Sequence, residues 1–177
     1  ARAPEARLLT VMRILVAGIG NALRGDDGFG VLAARRLRED PLCPADTVVM
    51  ETGIGGIHMV QELMRGYDAL ILFDAVDRGR AAGEVALLEP VLPDTEGMSD
   101  TERRDYFCDM HYATPVRALT LAREIKALPP LVRIVACQPH DAERYGIGMH
   151  ESVAAAIAPA VELALEQLSR FAAAARP

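Results

Sequence analysis

Serine is scarce in this chain. Ser99, Ser152 and Ser169 are its only serines and none stands in a G-x-S-x-G elbow, so a serine-histidine-aspartate hydrolase has no support. Cysteine is no more helpful: Cys43, Cys108 and Cys137 are odd in number, far apart, without C-x-x-C spacing, and not set beside a histidine as nucleophiles. That excludes a disulfide framework or a zinc knuckle and fits a reducing cytoplasm. No apolar run is long enough to span a bilayer, and the opening ARAPEARLLTV has no signal-peptide core, so membrane insertion is not expected. A positive stripe is also missing. The 19 basic residues are scattered among 25 acidic ones, giving a charge of -6, which argues against nucleic acid and favours a basic protein or a bound cation.

What is present is apolar sequence in short, regularly spaced runs. At 177 residues and 51% hydrophobic composition the chain can bury one substantial core. We expect a single domain over residues 13–172, a disordered extension at 1–12 with Met12 a candidate natural start, and a tail at 173–177. Residues 13–19 read as a first strand ending at Gly18 and Gly20. A helix over 28–39 follows, with Asp26 and Asp27 at its start as candidate caps. The alternation repeats with a strand at 47–51, a glycine turn at 53–56, a helix at 57–65 and the strand 69–74. The strand 84–89 follows too soon for a crossover helix and should run antiparallel. Residues 93–110 read as an exposed, mobile loop. A helix at 113–127, a strand at 131–137 and a helix at 150–172 kinked by Pro159 complete the chain. The expected fold is α/β: a three-layer α/β/α sandwich around a twisted, mostly parallel mixed sheet of about five strands.

The turn Gly18-Ile19-Gly20-Asn21-Ala22-Leu23 sits where a dinucleotide fingerprint would, but its third glycine position holds Leu23 and the helix starts late. The turn still lets backbone approach a ligand closely. Asp27 and Asp74 fall beyond or at the carboxyl ends of strands, the rim where open α/β sheets bind ligands, although a helix cap and a turn former would explain them equally well. His111 stands just ahead of the helix start Thr114-Pro115. Two carboxylates and one imidazole suit a divalent ion of borderline softness. His58, His140 and His150 rank lower, as surface or capping groups.

In order and spacing, RILVAGIGNALRGDDGFGVLAARRL, LILFDAV and the histidine of CDMHYATPVRAL resemble the hydrogenase-maturation endopeptidases. The resemblance implies a protease that removes a C-terminal extension from the large-subunit precursor of a nickel-iron hydrogenase once nickel is in place. It implies metal contacts by Asp27, Asp74 and His111 and a substrate-facing turn at Gly53 and Gly55; because no serine or cysteine nucleophile is in place, we further expect Asp27 and Asp74 in catalytic roles, with Gly20 and Asn21 also at the substrate. Nickel would arrive with the substrate, and no tightly bound cofactor is expected. The alternatives from the residues alone are a non-catalytic metal- or nucleotide-binding α/β module and a peptidase with a resident zinc.

Overall fold

A computed structural model describes residues 12–54, 56–108, 114–141 and 145–174. Its strands are β1 (Ile14–Ile19), β2 (Val48–Gly53), β3 (Ala69–Ala75), β4 (Val85–Leu88) and β5 (Leu131–Cys137). They form one five-stranded sheet in the order β2-β1-β3-β5-β4. All neighbours run parallel except β4, which runs antiparallel to β5. The expected reversal at β4 has a simple cause, a connection too short for a crossover helix.

Alternation along the central strands supplies two cores, as the two-residue period of a strand requires. Ile14, Val16, Ile71, Phe73 and Val135 face one side, where α1 (Phe29–Arg38) and α6 (Ile157–Ala174) bring Phe29, Leu37, Ala160 and Leu168. Leu15, Ala17, Leu70, Leu72 and Ile134 face the other, covered by Met59 and Leu63 of α2 (Ile57–Leu63) and Leu119 of α4 (Pro115–Glu124). Each of the larger side chains contributes about 1.5–3 kcal/mol by leaving water. Chain order fixes where a ligand fits. From β1 the chain goes out to β2, then returns across β1 to β3, so the connections diverge at the carboxyl ends of β1 and β3 and leave a crevice there.

Three expectations need correction. The described part of the expected loop at 93–110 is not open, because Asp100–Cys108 form a helix, α3. Ser99 and Glu102 cap it reciprocally: the Glu102 N–H donates to Ser99 Oγ at 3.3 Å, and the Ser99 N–H donates to Glu102 Oε2 at 2.8 Å, which is a capping box. The stretch ahead of it is pinned as well. Buried Thr95 donates its hydroxyl to Glu124 at 2.5 Å, and Arg123 donates to the Pro93 carbonyl at 2.6 Å. The interruption expected at Pro159 falls instead at Ala156: α5 (Glu151–Ala155) ends, and α6 begins at Ile157. Pro159 thereby occupies the first turn of α6, where a missing N–H is tolerated. Lastly, neither Asp26 nor Asp27 caps α1, which starts after a 3-10 turn at Gly25–Gly28 without a side-chain cap. Residues 1–11, 109–113 and 175–177 lie outside the described residues, and with them the predicted extension, apart from Met12, and most of the tail.

Candidate active site

Asp27 is positioned by the glycines around it. After β1 the chain turns at Gly20, whose φ is 136° and where a Cβ would stand 1.8 Å from the Asp27 carbonyl oxygen. Both conformation and space therefore demand glycine. The Gly20 N–H donates to the Gly53 carbonyl at 3.2 Å, tying the β1 loop to the end of β2. Next to it, the Asn21 N–H donates to Asp27 Oδ2 at 2.9 Å, while the Asn21 side chain accepts from Leu23 N–H at 2.9 Å and its carbonyl from Arg24 N–H at 2.9 Å. The turn is thus a cradle for the Asp27 carboxylate. Gly30 presses the start of α1 against the sheet. A Cβ there would stand 2.2 Å from the Ile19 carbonyl oxygen and 2.3 Å from that of Phe73, the residue before Asp74.

Asp74 lies in the last turn of the pleat of β3, beside β1 in the sheet, and is only 8% exposed. Burial pushes its carboxyl up to about 8, the negative charge of Asp27 adds to the rise, and a single hydrogen bond from the Ala75 backbone opposes it. Near neutral pH, Asp74 holds its proton. A buried carboxyl with one donor and a like-charged neighbour is strained by its surroundings, a condition found most often where chemistry is done.

Asp26, one residue before Asp27, is buried too, yet its surroundings are the opposite. Its Oδ2 accepts from the N–H groups of His140 at 2.8 Å and Asp141 at 3.0 Å, and its Oδ1 from that of His150 at 2.7 Å. Burial works to raise its pKa, but these three donors, helped by nearby His150, outweigh it and hold the carboxyl below the usual value. Asp26 therefore fastens the segment after β5 to the loop after β1.

Comparison with known proteins decides what the crevice belongs to. The sequence model of the hydrogenase maturation protease family matches residues 31–167. A hydrogenase expression/formation protein, HoxM, of Azotobacter vinelandii is 34% identical over 162 residues, which is 91% of this chain and 74% of that protein. The chain belongs to the hydrogenase maturation protease family. Two solved structures agree. The hydrogenase maturating endopeptidase HybD from E. coli is 26% identical with a TM-score of 0.69, covering 90% of this chain and 94% of that one. The NiFe hydrogenase maturation protease HycI from Thermococcus kodakarensis KOD1 is 25% identical with a TM-score of 0.68, covering 89% and 93%. This member of the family is accordingly a hydrolase, an endopeptidase of hydrogenase maturation.

The maturation-protease fold brings Asp27 and Asp74 together at the crevice, while His111 and Gly55 lie outside the described residues. Among the described residues, no group of three or more histidine, cysteine, aspartate or glutamate side chains is arranged to hold a metal ion. Gly53 has a φ of 61° with open space beside it, so it presents bare backbone at the end of β2. The other histidines keep ordinary places. His58 is exposed on α2, His140 stacks on His150 at 4.1 Å, and His150 caps α5 by accepting from the Ser152 N–H. Cys137 is no nucleophile, since burial, with the Asp26 charge adding to it, pushes its thiol up to about 11 and leaves no thiolate to attack. Two structural groups had no sequence signal. One is the Asp26 clamp. The other is buried Gln138, whose side-chain oxygen accepts from the N–H groups of Arg78 at 2.7 Å and Arg80 at 3.2 Å, holding the segment after β3. Ser99-x-x-Glu102, by contrast, carries a capping-box pattern that the reading of 93–110 as a loop passed over. No helix among the described residues is long and apolar enough to cross a membrane.

Proposed function

We propose that this endopeptidase removes a C-terminal extension from the large-subunit precursor of a nickel-iron hydrogenase, and that nickel carried by the precursor is what it recognises. The observation that carries the reading is Asp74: a buried, proton-holding carboxyl beside Asp27 at the sheet's switch point. A divalent ion arriving with the substrate would replace that proton and give both carboxylates a cation to bind, with His111 as a third ligand. Oxygen and imidazole donors suit nickel alongside the precursor's own ligands. The same pair serves catalysis. With the ion held between them, one carboxylate orients and deprotonates the attacking water, and the proton it gains passes to the departing amine as the peptide C–N bond breaks. Gly20, Asn21, Gly53 and Gly55 offer backbone to the substrate chain. Free Cys43 and Cys137 are in keeping with a cytoplasmic location.

The test is processing of purified nickel-loaded and nickel-free precursor, followed by mass spectrometry. Shortening of the nickel-loaded form alone is expected. Equal shortening of both would remove the sensing role, and shortening of neither would remove the assigned substrate.

A further inference from the structure

Leu23, Tyr145 and Ile147 are large apolar side chains that stand 67%, 82% and 90% exposed. Large side chains of this kind normally gain free energy by turning inward. The backbone that displays them is fastened at several points. His140, Asp141 and His150 hang on Asp26. Further out, the Gly25 N–H donates to the Gly146 carbonyl at 2.9 Å and the Gly146 N–H to that of Leu23 at 3.2 Å, making a short parallel bridge between the two segments. The guanidinium of Arg24 lies over the Tyr145 ring, 5.1 Å from its centre. Gly146 and Gly148 have φ values of 141° and 103°, conformations that side-chain-bearing residues rarely adopt. The chain is therefore built to hold these groups outward.

We infer that Leu23, Tyr145 and Ile147 form a docking surface that grips apolar residues of the polypeptide substrate beside the scissile bond. The inference rests on the endopeptidase reading above. An enzyme that cuts within a chain must hold residues flanking the cut, and this surface is continuous with the candidate site: Leu23 lies on the loop that carries Asp27, and Asp26 anchors the partner segment. A second copy of the chain fits less well. A stable dimer buries roughly 1,200–2,000 Å2, far more than three side chains offer. An apolar surface bordering a polar site is the usual mark of a polypeptide partner.

Tyr145→Ser and Ile147→Asp test this, with Val91→Asp as control, since Val91 is 90% exposed but follows β4 at the opposite end of the sheet. Initial rates of cleavage are measured against concentration of the nickel-loaded large-subunit precursor from the same organism. We expect kcat/KM to fall at least tenfold for Ile147→Asp and somewhat less for Tyr145→Ser, carried mainly by KM, with thermal melting unchanged in both and the control equal to wild type. Wild-type cleavage with kcat/KM of both variants within twofold would overturn the docking surface and leave the endopeptidase reading standing. A wild-type dimer in sedimentation that Ile147→Asp dissolves would overturn it in favour of self-association. Failure of the wild type to cleave the precursor would overturn the reading itself, and the docking surface with it.

Discussion

The clamp at Asp26 and the crevice at Asp74 each bury a carboxylate, to 3% and 8% exposure, and treat it in opposite ways. Three backbone N–H groups satisfy Asp26 and hold its pKa down. Asp74 receives one, faces the charge of Asp27, and is pushed up to about 8. Burial alone therefore does not set the character of a carboxylate; the supply of donors does. A carboxylate whose lone pairs are taken stabilises the fold, whereas one left short of donors keeps its affinity for a proton or a metal ion.

The largest expected effect that would break this contrast is on activity. Asp74→Asn should slow cleavage of nickel-loaded precursor by about 10²–10⁴-fold, the range for loss of a general acid or base, and single-turnover rates would show it. The same variant should melt at a higher temperature than wild type near pH 8, because it no longer buries an ionisable group. Asp26→Ala should do the reverse to stability. Leaving three buried donors unpaired at about 1–3 kcal/mol each predicts a loss of roughly 3 kcal/mol or more in urea unfolding. A smaller loss would mean that water replaces the carboxylate.

The pH dependence sharpens the comparison. Asp74 has its pKa raised from 3.8 to about 8 on folding, so its contribution is fully present below pH 4 and is lost as pH rises through 8. The advantage of Asp74→Asn should be absent near pH 4 and grow to a plateau above pH 8. Asp26 is lowered from 3.8, so its contribution is present above that value and lost as pH falls below it. The deficit of Asp26→Asn should accordingly shrink in acid. Unfolding midpoints measured from pH 3 to 9 would follow both, and parallel curves for the two variants would remove the distinction. The smallest effect belongs to a region outside both sites: Ser99→Ala, which opens the capping box of α3, should cost about 1 kcal/mol and leave both pH profiles unchanged.

Much of the fold was legible because its signals are local. Strands such as RILVAGI and LVRIVAC are short aliphatic runs closed by turn residues, and the reversal at β4 followed from the length of one connection. The misread segment, 93–110, shows the limit. Its helix buries no apolar face that a periodicity could reveal, so only the Ser99-Glu102 pair and the anchoring of Thr95 and Arg123 mark it as ordered. At the site, the family resemblance picked out Asp27 and Asp74, whereas nothing in the residues themselves told Asp27 from the adjacent, chemically identical Asp26.

By itself, then, the sequence determined the order of strands and helices, the glycines that let the backbone close on Asp27, and membership of the maturation-protease family, because each depends on residues near one another or on a motif. Tertiary structure alone decided which acid is satisfied by donors and which is left short of them. The donors to Asp26 come from residues 114, 115 and 124 positions away, and the charge that raises Asp74 comes from a neighbouring strand's loop. A carboxylate's pKa is set by what surrounds it in space, and spacing along the chain carries no record of that.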